Sequence, residues 1–488
     1  MGGYGASSAF FVKTADGTDC ATNAAFCAPF FPADAELQPW PVRLPARKPA
    51  GTLRVFVLGE SAAMGTPDPS FGFARILEVM LRRAYPARRF EVVNAAVRGI
   101  NSHLILPIAR ECAEHEPDLF VIYAGNNEMT GLYAPEPGEL NLTAHPRLLR
   151  LVTRVKMTLH RADFSAADAV RWEALYAEGG AAETAGAREQ AEDRYRAAAA
   201  IDDHFAELHF RLARCTARDP LAAYVAARDW DALPFRADAR INDAVRAVAR
   251  GFDGSALALA DAERVFAESA AGAPGDALFY EHVHLRFAGD YLLARTLFPR
   301  VVAGLGFGAS EAALASPAEC QAALGLRGRL KSHPARAPAP ALDPFFHGRR
   351  ITSRSKSRSR KFPARLFRRP LSDWDTLDMD AAIAQLTGSP PFLDQLDHAT
   401  RQARAARAVR ERLRNFTPEA MRRAAEVCRA AVKMNPDDWQ LHFICGRTLF
   451  AFGNFSEAVP HLETAVRAAP DFAQPRELLA ECRRKTPR

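Results

Sequence analysis

Four apolar runs limit the fold of this chain more than any other feature of its sequence. Each run is continuous, and each ends near Gly, Asn or Asp, as buried strands commonly do. The runs are residues 52–60, 90–97, 118–128 and 256–263. Amphipathic helices are predicted between the first three, over 71–86 and 101–117. This alternation predicts an α/β fold in which a parallel sheet is covered by helices on both faces.

Three polar or small residues stand where the first three predicted strands end. They are Ser61, Gly99 and Asn127, and Ser61 directly follows the apolar part of "RVFVLGESAAMG" (54–65). Ligands in parallel α/β sheets bind beyond the carboxyl ends of the strands. A serine hydroxyl acts as a nucleophile only when a base takes its proton and donors stabilise the oxyanion that forms. The question is therefore whether the chain supplies a base at this edge.

The segment "FYEHVHLRFAGDYLLART" (279–296) supplies a candidate base, His284, three residues after Glu281. An acid and a histidine with this spacing lie on one side of a loop or first helical turn, so Glu281 can orient the imidazole while its other nitrogen faces the serine. His282 and His284 also suggest a metal pair, but no third ligand stands at helical or strand spacing. The sequence therefore predicts no metal and no organic cofactor.

Four segments in this order resemble the conserved blocks of the SGNH (GDSL-like) hydrolase family: "GES", "NAAVRGINS", "GNNE" and "EHVH". The resemblance implies a three-layer parallel-sheet domain with Ser61 as nucleophile, His284 as general base and Glu281 as the residue that orients it. It also implies an oxyanion hole made by the backbone N–H groups of Ser61 and Gly99 and by the Asn127 side chain. The expected activity is ester hydrolysis through an acyl-enzyme, on a small ester or an acylated glycan.

Each of these residues also has a purely structural interpretation. Ser61 is a favourable helix N-cap, Gly99 suits any tight turn, Asn127 suits a helix cap, and His284 suits a packed surface position. The sequence alone leaves both interpretations open at all four positions.

The chain departs from the family pattern at two places. Glu60 stands where the family has Asp, and residues 134–185 lack the apolar run expected of a further central strand. Residues 146–160 instead have the pattern of a basic amphipathic helix. A parallel sheet that lacks an interior strand must close the gap or leave backbone groups unpaired. The alternative function is therefore a catalytically impaired SGNH-like scaffold that serves protein–protein interaction.

The C-terminal part has a different, repetitive pattern. Pro436 and Pro470 are 34 residues apart, and small residues recur in phase with them at Ala424, Ala431, Gly446, Ala458 and Ala465. The pattern resembles the tetratricopeptide repeat, a helical hairpin whose small residues let paired helices approach closely. A weaker version lies at 191–215. The resemblance implies a protein or peptide partner, and the SGNH-like and repeat parts together resemble a subgroup that combines the two.

Charge and cysteine content add little about function. The formal net charge is +7, but residues 349–369 hold ten Lys or Arg and no acid, so the basic balance belongs to one segment. Such a segment is more typical of a solvated linker than of a nucleic-acid site. Among eight scattered cysteines, Cys20 and Cys27 are close enough to suggest a local disulfide. No segment predicts a signal peptide or a membrane span, and the compartment stays open.

The predicted domain order follows from these patterns. It is an N-terminal extension (1–50), the first half of the hydrolase-like core (51–134), a helical insert (135–235), the second half of the core (236–310), a Pro-rich and basic linker (311–372) and the repeat domain (373–488).

Overall fold

The computed structural model describes residues 9–31, 37–129, 165–216, 220–231, 236–252, 257–269, 273–308, 314–326, 418–470 and 472–486. The predicted basic helix at 146–160 and the basic segment 349–369 lie outside these residues. So does most of the predicted linker.

A parallel three-stranded sheet forms the centre of the α/β part of the chain. Its strands are β4 (Thr52–Gly59), β5 (Arg89–Asn94) and β6 (Leu119–Tyr123), in the order β5-β4-β6. The first three predicted strands are thus confirmed. The central strand β4 is buried almost throughout because both of its faces are covered, which explains its continuous apolar run.

Helices cover both faces of this sheet. Helix α2 (Phe73–Ala84) shares one apolar cluster with Val55 and Val57, whereas α3 (Ser102–Ala113) shares another with Phe56 and Leu58. Successive residues of a strand point to opposite faces, so the two helices lie on opposite sides of β4. A helix–sheet–helix arrangement results.

The fourth predicted strand, 256–263, is wrong. Residues 257–261 have no regular structure, and helix α9 (Ala262–Ser269) begins directly after them. The run consists of Ala, Leu and acidic residues without β-branched side chains, a composition that favours helix over strand. Among the described residues no fourth strand joins the parallel sheet, so β6 is an edge and its Ile122 is 60% exposed.

The N-terminal extension forms a small sheet that the sequence did not predict. Strands β1 (Phe11–Lys13), β2 (Asp19–Thr22) and β3 (Arg43–Pro45) pair antiparallel and pack on the α3 side of the core. Cys20 and Cys27 are both free thiols buried in that cluster, so the suggested disulfide is wrong. Their apolar surroundings account for them as small core residues.

Five helices make up the described part of the insert and the segment that follows it. They are α4 (Ala166–Thr184), α5 (Arg188–Ala199), α6 (Ala206–Cys215), α7 (Pro220–Asp229) and α8 (Ala239–Arg250). Tyr195, fully buried, fills the space beside Gly179, where a Cβ atom would lie 2.6 Å from the ring. The absence of a side chain at Gly179 therefore lets α4 and α5 pack closely.

The remaining helices are α10 (Phe287–Gly304), α11 (Pro317–Ala323), α12 (Pro418–Met434), α13 (Trp439–Ala451), α14 (Phe455–Ala468) and α15 (Ala473–Lys485). Helix α11 lies within the range assigned to the linker, and its Cys320 is buried in the main core. None of the described helices is both long enough and apolar enough to cross a membrane.

The predicted small residues lie at the closest helix contacts of the repeat. A Cβ atom on Gly446 of α13 would lie 2.7 Å from Cγ of Leu462 on α14, which a side chain does not permit. Ala424, Ala431, Ala458 and Ala465 are all buried. The 34-residue phase seen in the sequence therefore corresponds to real close packing.

Candidate active site

Ser61 is the first residue of a four-residue helix, α1 (Ser61–Met64), that follows β4 directly. The strand can turn into this helix only because Gly59 has φ +151° and no side chain, since a Cβ atom there would lie 2.0 Å from the Tyr123 carbonyl oxygen. Ser61 is 1% exposed. The N-cap of α1 is Glu60, so the interpretation of Ser61 as the N-cap is wrong.

Glu60 organises the turn that carries Asn127. Its carboxylate accepts hydrogen bonds from the backbone N–H groups of Gly125 (3.1 Å), Asn126 (3.0 Å) and Asn127 (3.1 Å). Burial raises the pKa of Glu60 to about 7, although these hydrogen bonds act to lower it. Sequence reasoning treated Glu60 only as a replacement for Asp and missed this function. The available signal was an acid between a buried strand and a turn rich in backbone donors.

Asn127 and Gly99 are brought together at the same edge of the sheet. The Asn127 side-chain amide donates to the carbonyl of Ile100 at 2.9 Å, next in the chain to Gly99. Gly99 has φ +76°, a conformation that favours glycine. Asn127 lies in a turn, and its side chain bridges two loops, so it does not cap a helix in the described part of the chain. These two predicted oxyanion donors therefore lie on loops tied to each other.

Glu281 and His284 form the predicted acid–histidine pair. The Glu281 carboxylate bonds Nδ1 of His284, and it also accepts from the backbone N–H groups of Val283 (3.0 Å) and His284 (2.8 Å). His282 Nδ1 is 2.5 Å from the same carboxylate. Burial acts to raise the pKa of Glu281, but hydrogen bonds from His282 and His284 outweigh it, and the pKa lies below its ordinary value. The carboxylate is thus ionised and fixes the ring of His284.

The two halves of the core meet where α10 packs on α2. The buried Asp290 carboxylate accepts from the backbone N–H of Phe73 at 3.0 Å and joins the starts of α10 and α2.

The ring of His284 is held at one of its two nitrogens. Its Nδ1 is bonded by the Glu281 carboxylate. Nε2 is therefore the ring nitrogen that a catalytic function would direct at the Ser61 hydroxyl.

One group of three potential metal ligands occurs among the residues that the structure describes, away from the predicted site. Asp202, Asp203 and His204 have ligand atoms within 4.8 Å of one another, and two of the three are exposed. His204 Nδ1 contacts both carboxylates, so contacts among the three side chains themselves account for the cluster.

Comparison with known proteins identifies one part of the chain. A family model for the tetratricopeptide repeat matches residues 419–482, which cover almost all of α12 to α15. No curated protein matches the sequence. The predicted repeat is therefore confirmed, and the C-terminal domain is a helical module of a kind that binds proteins.

Proposed function

We propose that this chain is a serine-dependent ester hydrolase of the SGNH type whose C-terminal repeat binds protein. One observation carries the proposal: an ionised Glu281 carboxylate bonds Nδ1 of the buried His284, as the acid of a catalytic triad does. Further support comes from Ser61, which follows the end of β4, and from Asn127, whose side chain is tied to the Gly99–Ile100 loop. A packed histidine with only a structural function does not need an ionised carboxylate on its Nδ1. A histidine that acts as a general base uses such a carboxylate to hold its ring and to stabilise the positive charge that it gains.

The chemistry would proceed through an acyl-enzyme. The Ser61 oxygen attacks the ester carbonyl carbon while Nε2 of His284 takes the hydroxyl proton, and the charged imidazole is stabilised by Glu281. The C–O bond to the leaving alcohol then breaks as His284 returns the proton to that alcohol. Water, activated by the same histidine, attacks the acyl group and releases the acid and the free serine. No metal or organic cofactor enters these steps.

The developing oxyanion would be held by three donors. An amide nitrogen carries two hydrogens, so the Asn127 side chain can serve Ile100 with one and the oxyanion with the other. The backbone N–H groups of Ser61 and Gly99 are the other two donors that the family resemblance implies. Removing a single donor of this kind typically costs about 10²–10³ in kcat. The resemblance also suggests the substrate class, a small ester or an acyl group on a glycan.

Hydrolysis of p-nitrophenyl acetate by the full chain tests the proposal. Ser61→Ala should abolish turnover above the buffer rate. Ser70→Ala is a matched control, because Ser70 is equally buried and lies in the turn that follows α1, and this variant should keep the wild-type rate. Equal rates of ester hydrolysis for wild type and Ser61→Ala would refute the proposed esterase activity.

A second candidate function is a non-catalytic scaffold for protein binding. The parallel sheet of three described strands favours it, because an SGNH-type core is expected to have more. A scaffold predicts that wild type and Ser61→Ala are both inactive on esters.

A further inference from the structure

The tetratricopeptide repeat packs against the hydrolase-like core through its helix α13. This helix buries Leu441, Phe443, Ile444, Cys445 and Leu449 in the same apolar cluster as the core residues Phe71 and Phe73. A helix that is apolar around most of its circumference is buried on more than one side. One side of α13 faces α14, and another faces the turn Pro69–Phe71 of the core.

Aromatic side chains extend this contact. Trp40 from the N-terminal extension stacks near Trp439, with ring centroids 6.4 Å apart, and meets Phe472 edge-on at 5.2 Å. The face of the repeat at the start of α13 is therefore occupied by the chain's own core.

Two ion pairs fix the position of the repeat on the core. Asp438, the N-cap of α13, also binds the guanidinium of Arg75 at the start of α2. Arg447, two turns further along α13, donates to the Asp68 carboxylate at 2.7 Å. Both pairs are partly shielded from solvent, with side-chain exposures of 14–16% and 25–26%. Pairs of this kind are screened less by salt than fully exposed ones.

Asp68 lies within the segment that follows Ser61, and Arg75 lies just beyond its end. The carbonyl of Ser61 accepts from the N–H groups of Gly65 and Thr66, which coils the chain back on the nucleophile. A Cβ atom on Gly65 would lie 3.0 Å from Cα of Gly72, so the two ends of the segment 65–72 are in contact. Asp68 caps the turn Pro69–Phe71 inside this segment. A change in the position of Asp68 should therefore change the position of Ser61, because only a short and compact stretch of chain separates them.

We propose that the repeat is an internal brace for the candidate active site, in which Arg447 positions the segment 61–72 through Asp68. Arg447 and Asp68 are positioning residues and take no part in the chemistry. The effect on catalysis rests on the proposed esterase function, whereas the effect on the segment itself does not. The same face of the repeat is thereby withdrawn from binding an external protein, and a protein partner would use another face.

Hydrogen exchange of the amides in 61–72, followed by mass spectrometry on the full chain, tests the brace without reference to activity. Arg447→Ala should speed this exchange about tenfold, as expected for loss of a charged hydrogen bond that holds a local segment closed. Arg447→Lys keeps a cation and should restore most of the protection. Arg429→Ala is the matched control, because Arg429 pairs with Glu457 inside the repeat, and it should leave 61–72 unchanged.

Ester hydrolysis by the same variants separates the two proposals. In an active enzyme, Arg447→Ala should lower kcat about tenfold and change KM little, because the loss is in the placement of Ser61. Faster exchange in Arg447→Ala, combined with a wild type that has no esterase activity, would support the brace and refute the proposed enzyme function. If the amides of 61–72 exchange at the same rate in Arg447→Ala as in the wild type, the brace proposal is overturned, whether or not the protein hydrolyses esters.

Discussion

Replacing Glu60 by Gln tests whether a buried, titrating carboxylate organises the turn at the candidate oxyanion hole. The carboxylate accepts three backbone hydrogen bonds with its two oxygens, from Gly125, Asn126 and Asn127. The Gln side chain has one oxygen, so its NH₂ group must face at least one of these N–H donors. A neutral carboxylic acid can turn its single hydrogen away, but an amide cannot. One unsatisfied buried donor should cost about 1–3 kcal/mol at pH values where Glu60 is protonated.

The size of this cost should depend on pH. The pKa of Glu60 is raised from 4.5 to about 7 in the folded protein, so its contribution to stability is fully present below pH 4.5 and is lost as the pH rises through 7. At about 1.4 kcal/mol for each pH unit, the wild type should lose about 2 kcal/mol from this group between pH 5.5 and pH 8. The Gln variant cannot titrate and should lose none of it. The stability deficit of the variant should therefore shrink by about 2 kcal/mol over this range.

Guanidinium unfolding of the two proteins at a series of pH values measures this difference. Glu128→Gln is the matched control, because Glu128 lies on the same turn and binds Ser102 near the surface. The control should keep the fall in stability with rising pH, moved to slightly lower pH because the Glu128 charge contributes to the raised pKa of Glu60. The same pH slope in wild type and in Glu60→Gln would refute the reasoning, because the buried carboxylate would then not titrate in this range.

Two further predictions concern packing and burial. Gly179→Ala should destabilise the insert by about 1–3 kcal/mol, since the new methyl group would overlap the Tyr195 ring. Gly180→Ala, whose methyl group finds room, should be neutral or stabilising; thermal unfolding of both variants checks this, and equal melting temperatures would contradict the packing. Burial raises the pKa of Asp290 well above its ordinary value of 3.8, so Asp290→Asn, which keeps an acceptor for the Phe73 N–H, should change the unfolding free energy by less than about 1 kcal/mol at acid pH, where the carboxyl is neutral in both folded and unfolded chains. Its stability should improve relative to the wild type as the pH rises, because the raised pKa makes wild-type stability fall there; a variant that weakens with rising pH would contradict the assignment.

The parts of the fold that the sequence predicted are those with strong local patterns. The strand at 52–60 is apolar along its whole length because helices cover both of its faces, and the repeat is phased because Gly446 must meet Leu462. The three short antiparallel strands at 11–45 gave no such signal, since strands of three or four residues hold too few alternating positions. The run at 256–263 was misread because apolar content alone does not distinguish a strand from a helix start.

The site was predicted residue by residue, but its connections were not. Ser61 follows β4 directly and Asn127 lies in the turn after β6, because strand ends fix where such residues emerge. The contact between Glu281 and His284 is local, since the two residues are three positions apart. The three hydrogen bonds to Glu60 and the pair between Arg447 and Asp68 depend on contacts across 65 to 379 positions of sequence. A single sequence carries no local signal for contacts at that distance.

Covalent labelling by diisopropyl fluorophosphate tests the central claim most directly. This reagent phosphorylates a serine only when a neighbouring base and oxyanion donors activate it. Peptide mapping by mass spectrometry should find the adduct on Ser61 in the wild type, and the adduct should disappear in His284→Ala. An unlabelled Ser61 in the wild type, or equal labelling in His284→Ala, would contradict a Ser61–His284 catalytic pair.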